Sequence, residues 1–380
     1  MLIGVVGAPN KGKSTFFSAA TALEVPIANY PFTTISPNKG VTYIRAECPH
    51  QTLGATGCRR CENGLRLVPI NIIDVAGLVP GAHEGKGLGN QFLDNLRQAD
   101  ALIQVVDGSG STDLQGSPAT AQDPMDEVSF LKEEIAWWIL GILKRHGKPH
   151  MSPQDAAKIL SGLKISEGMI FDAAERCGLD ISDGMPESED ALRIAKMLVS
   201  IRMPIVVAFN KMDLPQARQN YKKASANYDE IFPCCAAAEL ALRKAAKSGL
   251  IKYLPGDTNF QVVGSPDERQ REALRQLSLI IEEIGNTGVQ QIIDYVVRKK
   301  LRGIVVYPVE DEHKYTNHKG EVLPDALLVP EGTTTLQLAG MIHTDLASKF
   351  ICAIDVKRKV RVGAEHHLRD GDVVKVVAGR

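Results

Sequence analysis

The 380-residue sequence predicts an α/β fold, in which helices flank a mostly parallel sheet, followed by a smaller α+β domain. An apolar run at 2–7 stops at a glycine loop and leads into a helical pattern, as a buried parallel strand does. Further apolar runs at 68–75, 101–107 and 203–210 carry Asp or Asn at their carboxyl ends, where ligands bind in such sheets. From about residue 303 onward, short strands alternate with Gly, Pro and Asp turns.

The composition is ordinary for a globular protein, with 44% hydrophobic and 23% charged residues. A net charge of -1 excludes a global basic field for nucleic acids, so any such contact must be local. No apolar run approaches the ~18 residues of a membrane span. Seven cysteines, two of them adjacent at 234–235, favour a reducing cytosol over a disulfide framework. We therefore expect a cytoplasmic monomer that binds neither DNA nor a membrane.

A helical insertion is predicted at about 123–202, between two strands of the sheet. Asp123-Pro124 has the N-cap and first-turn residues of a helix. Trp138 lies on the apolar stripe of that helix, so we expect it to pack in the core. Two shorter helices, 152–163 and 165–178, have the lengths of a helix-turn-helix. Their acidic excess is the wrong sign for a DNA groove.

The segment GAPNKGKS fits the G-x-x-x-x-G-K-[S/T] pattern of a P-loop, with the required strand before it and helix after it. Glycines let backbone N–H groups surround the phosphates, Lys13 reaches the phosphate charge, and the Ser14 hydroxyl binds Mg²⁺. We therefore expect a P-loop NTPase domain. The predicted phosphate-binding residues are Gly7, Ala8, Pro9, Asn10, Lys11, Gly12, Lys13, Ser14 and Thr15.

Two further segments have the features of a nucleotide-triggered switch. The motif D-V-A-G begins with Asp74 at the end of a strand, where this carboxylate can hold Mg²⁺ through water. The backbone N–H of Gly77 can reach a γ-phosphate. Before it, the segment NYPFTTI contains Thr33 and Thr34, either of which could close over the γ-phosphate and Mg²⁺.

The motif N-K-M-D at 210–213 predicts selection of guanine. Asp213 can accept hydrogen bonds from guanine N1–H and N2–H₂, a donor pair that adenine lacks. Asn210 would tie this loop to the P-loop, and the stem of Lys211 would cover the base. In the segment CCAAA, Cys235-Ala236 matches the Ser/Cys-Ala pair whose backbone N–H donates to guanine O6 in GTPases. The alternative is a buried, inert cysteine.

Several long segments together resemble the Obg-related YchF family of translation-factor GTPases, most closely its archaeal branch. They are NYPFTTI, DVAGLVPGAHEGKGLGNQFLDNLR, CCAAAELALRKAAKSG, VYPVED, PEGTT and DGDVVKVV. The resemblance covers nearly the whole chain. It implies a GTP-binding G domain at 1–302, with a Cys-rich hairpin at about 44–66 and the helical insertion, and a TGS domain, a ubiquitin-like β-grasp module, at 303–380. It also implies that Thr34 is the switch threonine.

Family members from bacteria and eukaryotes often lose N-K-x-D and prefer ATP. Because this chain keeps N-K-M-D, we predict GTP as its nucleotide. The implied activity is slow hydrolysis of GTP on the ribosome or its assembly intermediates, with a ribosome or ribosomal RNA as partner. The alternative is a nucleotide-gated scaffold for other proteins, in which hydrolysis is incidental. The basic segments 296–302 and 357–361 could contact RNA phosphates or be merely solvated.

Leu78 stands where well-known switch GTPases carry a glutamine that orients the attacking water. Leucine cannot do this, so another group must position the water. Asn10 resembles the asparagine of potassium-stimulated relatives, which holds K⁺ beside the phosphates; bracing its own loop is the alternative. His83 and Gln104 are further candidates, the latter where some relatives carry a histidine. Lys11 replaces the family's usual valine, and we expect a solvated lysine.

A candidate metal site lies in CPHQTLGATGCRRC, between the switch threonine and the D-V-A-G strand. Cys58 and Cys61 have the knuckle spacing at which two thiolates share one metal. Cys48 and His50 could complete a tetrahedral Cys₃His site for structural Zn²⁺. The alternative is a polar hairpin with reduced thiols.

Overall fold

The computed structural model describes residues 1–22, 38–75, 95–120, 122–148 and 150–379. Within them, the larger sheet has the strand order β2-β3-β1-β4-β5-β6. β2 runs antiparallel to β3, and the other neighbours are parallel. These strands are β1 Leu2–Val6, β2 Lys39–Glu47, β3 Leu65–Asp74, β4 Ala101–Asp107, β5 Ile205–Asn210 and β6 Ile231–Pro233. The mostly parallel sheet confirms the predicted α/β class.

Helices cover both faces of this sheet. The α-helices of this part of the chain are α1 Lys13–Thr21, α2 His50–Leu53, α3 Pro124–His146, α4 Pro153–Ile159, α5 Glu167–Arg176, α6 Ser188–Arg202, α7 Pro215–Ala224, α8 Ala236–Lys247, α9 Glu268–Ile284 and α10 Val289–Tyr295. Strands β7 Ile251–Lys252 and β8 Gln261–Val262 form a separate hairpin. No helix among the described residues is long and apolar enough to cross a membrane.

Helices α3 to α6 form the helical insertion, which packs on one face of the sheet. Asp123 caps α3 by accepting a hydrogen bond from the Met125 backbone N–H, and Pro124 occupies the first turn, as the sequence predicts. Trp138 is buried in the core that joins these helices to Val6 and Leu102 of the sheet. Its predicted packing role is therefore confirmed.

A second sheet forms the C-terminal part of the chain. Its strand order is β10-β9-β13-β11-β12, with β13 parallel to β9 and the other pairs antiparallel. The strands are β9 Gly303–Pro308, β10 Leu327–Pro330, β11 Phe350–Asp355, β12 Val360–Val362 and β13 Val373–Ala378; helices α11 Thr335–Ile342 and α12 Thr344–Ser348 lie between β10 and β11. Leu338 of α11 packs into the sheet's apolar core. A mixed sheet with α11 packed on it is the expected β-grasp arrangement, and the short α12 follows α11.

The two sheets share a hydrophobic core at the β2–β3 hairpin. Cys48 and Val68 of the first sheet region lie in the same cluster as Val305 and Tyr307 of β9. The Tyr307 hydroxyl donates a hydrogen bond to the Glu47 carbonyl, at 2.8 Å. The C-terminal domain therefore rests on this hairpin, on the opposite edge of the sheet from β6.

Candidate nucleotide-binding site

The predicted phosphate loop connects β1 to α1, and its glycines are required by close packing. A Cβ on Gly7 would lie 2.5 Å from the Val105 carbonyl oxygen. Gly12 has φ +92°, and a Cβ there would clash with the side-chain amide of Asn210. The loop therefore lies against β4 and the N-K-M-D segment, at the carboxyl ends of the parallel strands.

Lys13 and Ser14 open helix α1 beside the end of β3. The Lys13 ammonium forms an ion pair with Asp74, and Ser14 is exposed in the first helical turn. The contact brings the proposed phosphate ligand next to the proposed Mg²⁺ ligand. A hydroxyl and a carboxylate are the hard oxygen donors that Mg²⁺ prefers, so these residues fit the ion.

Asn210 joins three loops. Its side-chain amide N–H donates to the Lys11 carbonyl at 3.0 Å, and its side-chain oxygen accepts from the Ala236 N–H at 3.1 Å. The tie to the phosphate loop that the sequence predicts is therefore present. Ala236 begins α8, so the same bridge also fixes the start of that helix.

Asp213 is exposed at the end of this loop, and its carboxylate accepts from the Cys235 thiol at 3.3 Å. Burial raises the pKa of Cys235 to about 12, so the group remains a thiol and a donor. The Cys235 backbone N–H donates to the Thr287 carbonyl, and the Ala236 N–H serves Asn210. Both amides thus have acceptors within the chain, so their use for guanine O6 would require sharing or exchange, and that assignment stays a prediction.

The expectation of a solvated Lys11 is wrong, because this side chain is fully buried. Its ammonium donates to the Thr112 carbonyl at 2.9 Å and to the Thr112 hydroxyl at 2.8 Å, and forms an ion pair with Glu127 of α3. Burial raises the pKa of Glu127 to about 7, although the hydrogen bond and charge of Lys11 act in the opposite direction. Lys11 therefore ties the phosphate loop to the helical insertion.

Asp107, at the end of β4, is a site residue that sequence reasoning missed. One carboxylate oxygen accepts from Lys211 at 2.9 Å and from the Thr112 hydroxyl at 2.8 Å. Burial would raise the pKa of Asp107, but hydrogen bonds from Lys211, Ser109 and Thr112 outweigh it and lower the pKa to about 2. Its position in the sequence could have indicated this role, because Asp74 and Asn210 also lie at the carboxyl ends of strands in the same sheet.

Asn10 and Gln104, two candidates for water positioning, both bind main-chain carbonyls. The Asn10 amide donates to the Gly116 carbonyl at 2.9 Å, which braces a neighbouring loop. Gln104 is buried and donates to the Glu127 carbonyl at 2.6 Å. Gln104 thus anchors helix α3, and its side chain is closed off from solvent.

The Cys-rich hairpin brings its four predicted ligands together. The Cys58 sulfur lies 3.8 Å from the sulfurs of both Cys48 and Cys61. The Cys61 sulfur lies 3.4 Å from His50 Nδ1, and all four ligand atoms are within 4.8 Å of one another.

Three family models match this chain. One described as a 50S ribosome-binding GTPase matches residues 2–139, one described as an Obg-like GTPase YGR210-like, G4 motif-containing domain matches 208–311, and the TGS domain matches 313–378. An uncharacterised GTP-binding protein of Methanocaldococcus jannaschii is 44% identical over 391 residues, which covers 99% of both chains. The ribosome-binding ATPase YchF of Escherichia coli O157:H7 is 28% identical over 410 residues, covering 98% of this chain and 97% of that protein.

The chain belongs to the Obg-related YchF family of GTPases. A solved structure described as a GTP-binding protein from Pyrococcus horikoshii OT3 matches with a TM-score of 0.75 and 35% identity over 100% of both chains. The expected G domain fold with a C-terminal TGS domain is thereby confirmed. The relatives' names differ in nucleotide, since one is called GTP-binding and another an ATPase.

Five residues of the predicted YchF switch machinery lie outside the described part of the chain. They are Thr33, Thr34, Gly77, Leu78 and His83. Their assigned roles, including switch closure and water positioning, stay predictions.

Proposed function

We propose that the protein binds GTP with Mg²⁺ and hydrolyses it slowly to GDP and phosphate. The observation that carries this proposal is the Asn210 bridge, which joins the phosphate loop at Lys11 to the start of α8 at Ala236. It brings the predicted guanine-reading Asp213 and the predicted phosphate ligand Lys13 to one edge of the sheet. A nucleotide bound along these loops would have its base at Asp213 and its phosphates at Lys13.

Guanine selectivity follows from the chemistry of the Asp213 carboxylate. It is acceptor-only when ionised, so it matches the two donors of guanine N1–H and N2–H₂. Adenine offers an acceptor at N1, which would leave both groups unpaired at a cost of several kcal/mol. The Cys235 thiol at 3.3 Å supports the orientation of this carboxylate.

Calorimetry with GTP, GDP and ATP in the presence of Mg²⁺ tests this assignment. We expect GTP and GDP to bind at least ~100-fold more tightly than ATP. Asp213→Asn should weaken GTP binding and favour xanthine nucleotides, whose C2 carbonyl accepts a hydrogen bond from the new amide. Asp229→Asn, an exposed carboxylate elsewhere, is the matched control and should leave both affinities unchanged. Equal wild-type affinities for ATP and GTP would contradict the proposal.

For hydrolysis, the chain supplies charge and positioning. Lys13 would place its ammonium on the β- and γ-phosphates, and Ser14, Asp74 and Thr34 would hold Mg²⁺, which neutralises phosphate charge when bound. Gly77 would orient the γ-phosphate through its backbone N–H. Leu78, and not a glutamine, directly follows the D-V-A-G motif, so the intrinsic rate should be slow. Lys13→Ala should abolish turnover of GTP.

A ribosome or ribosomal RNA is the partner we propose, which would place the protein in the cytoplasm. The Escherichia coli relative is named ribosome-binding, and one matching family model is described as a 50S ribosome-binding GTPase. In this chain, Lys357, Lys359 and Arg361 are exposed around the β11–β12 turn. By contrast, Arg298 and Lys300 of the other basic segment form ion pairs within the chain.

Co-sedimentation with purified ribosomes tests this partner. Binding should be stronger with a non-hydrolysable GTP analogue than with GDP, and should weaken with added salt. Lys357→Glu with Lys359→Glu should reduce it, whereas the exposed Lys223→Glu of α7 should not. Absence of co-sedimentation in both nucleotide states would contradict the ribosome and favour the scaffold alternative.

A further inference from the structure

The β2–β3 hairpin gathers four soft or borderline metal ligands from three short segments. Cys48 directly follows β2, His50 begins α2, and Cys58 and Cys61 come from the irregular chain before β3. Gly54 and Gly57, with φ of +64° and +82°, make the turns that bring the second pair back to the first. This arrangement is independent of the nucleotide site.

The distances match tetrahedral zinc coordination. Zn–S bonds of about 2.3 Å at tetrahedral angles place two sulfurs about 3.8 Å apart. Cys58 lies 3.8 Å from Cys48 and 3.8 Å from Cys61. A thiolate and an imidazole nitrogen should be about 3.6 Å apart, and the Cys61–His50 distance is 3.4 Å. The remaining pairs lie within 4.8 Å, so these separations need to shorten by at most about 1.2 Å.

A disulfide explains this cluster less well. An S–S bond is about 2.05 Å long, so either cysteine pair would have to close by nearly 2 Å. A disulfide would also not account for the third thiol and His50 lying beside the bonded pair. We propose that Cys48, His50, Cys58 and Cys61 bind one structural zinc ion. All four positions are filled by protein, so the site keeps no open position for catalysis.

The zinc site would stiffen the surface on which the TGS domain rests. Next to it, Arg66 donates to the Leu323 and Pro324 carbonyls at 2.7 and 2.8 Å. Arg60, between the two knuckle cysteines, approaches Glu321 at 3.5 Å. The loop from 54 to 61 has no helix or strand of its own, so bound metal would supply much of its order.

Elemental analysis of the full-length protein, purified without chelator, is the first test. We expect about one zinc per chain in wild type and less than a tenth in Cys58→Ser. Cys352→Ser, which removes a thiol of β11 far from the cluster in sequence, is the matched control and should retain the zinc. Less than a tenth of a zinc per wild-type chain, or a disulfide among the three hairpin cysteines, would overturn the proposal.

Cobalt exchange provides a test that does not depend on a variant folding. Full-length protein loaded with Co²⁺ should show thiolate-to-cobalt charge transfer and the intense d–d bands of a tetrahedral site, and added Zn²⁺ should remove them.

Amide hydrogen exchange tests the effect of the metal on the TGS domain. Removing the metal with a chelator should accelerate exchange in residues 48–64 and 315–325, and leave it unchanged in β12. A weak octahedral spectrum would refute the metal site, and unchanged exchange at 315–325 would refute its effect on the TGS domain.

Discussion

Replacing Lys11 by methionine should destabilise the G domain by about 1–3 kcal/mol at pH 7.5. This is less than the ~3–5 kcal/mol cost of leaving a buried charge unpaired, because burial raises the pKa of Glu127 to about 7 and its carboxyl takes up a proton once Lys11 is gone. Lys11 is fully buried, and its ammonium serves the carboxylate of Glu127 and two oxygens of Thr112. Counting each charged hydrogen bond separately at about 1.5–3 kcal/mol would overestimate the loss, because methionine regains apolar packing.

A double-mutant cycle compares Lys11→Met with Glu127→Met and with the variant that carries both substitutions. Removing both side chains avoids an unpaired buried carboxyl group, so the double variant should recover more than half of the stability lost by Lys11→Met. Recovery should be incomplete, because the Thr112 carbonyl loses its donor. Lys144→Met, on the exposed surface of α3, is the control and should change stability by less than about 0.5 kcal/mol.

Urea unfolding, followed by tryptophan fluorescence, measures the change in the free energy of unfolding with a probe on the helix that is affected. The chain has two tryptophans, Trp137 and Trp138, and both lie on α3, the helix that carries Glu127. The signal therefore reports the helical insertion together with its contact to the phosphate loop. A loss below 1 kcal/mol in Lys11→Met, or a double variant that loses the sum of both single variants, would refute a buried, coupled pair.

Three further results are expected. Gly12→Ala should abolish nucleotide binding in calorimetry without unfolding the chain, because its Cβ would push on Asn210 at a positive φ; normal GTP affinity would contradict the packing. Replacing Na⁺ by K⁺ should raise GTP hydrolysis several-fold, and Asn10→Ala should remove that difference; equal wild-type rates in both salts would remove the cation from the mechanism. Glu127→Gln should flatten stability against pH. Burial raises the pKa of Glu127 to about 7, so the folded state keeps a proton that the unfolded state releases above about pH 4.5. Wild-type stability should therefore fall, by up to about 1.4 kcal/mol per pH unit, as pH rises towards 7, and an identical slope in the variant would assign the effect elsewhere.

Features that depend on local spacing could be predicted from the sequence. The phosphate loop needs its glycines, lysine and serine within eight consecutive residues, and a strand and a helix on either side, all of which can be read directly. The core position of Trp138 followed from helical periodicity, since i, i+3 and i+4 share a face whatever the partner is. The Cys58-x-x-Cys61 spacing likewise indicated a shared ligand, and the structure brings the pair to 3.8 Å.

Features that depend on distant partners could not be predicted. Lys11 looked solvated because a lysine in a glycine loop has no local acceptor, and its partner Glu127 belongs to an insertion helix far along the chain. Asp107 ends a strand as expected, but the hydrogen bonds to its carboxylate come from its own loop and from Lys211. Only the sheet order, with β4 between β1 and β5, makes these segments neighbours.

These distant contacts form one continuous chain of hydrogen bonds across the predicted nucleotide site. Lys211 of the N-K-M-D segment and the Thr112 hydroxyl both donate to the same oxygen of Asp107. The Lys11 ammonium donates to that hydroxyl and pairs with Glu127 of α3. Every link is buried or partly buried, so each bond is stronger than it would be in water, and a broken link would be costly. The helical insertion is therefore held by the same polar groups that position the predicted base and phosphate loops. A change at the base could reach α3 through these bonds, and coupling between Lys211 and Glu127 variants in a double-mutant cycle of GTP affinity is the evidence such a path requires.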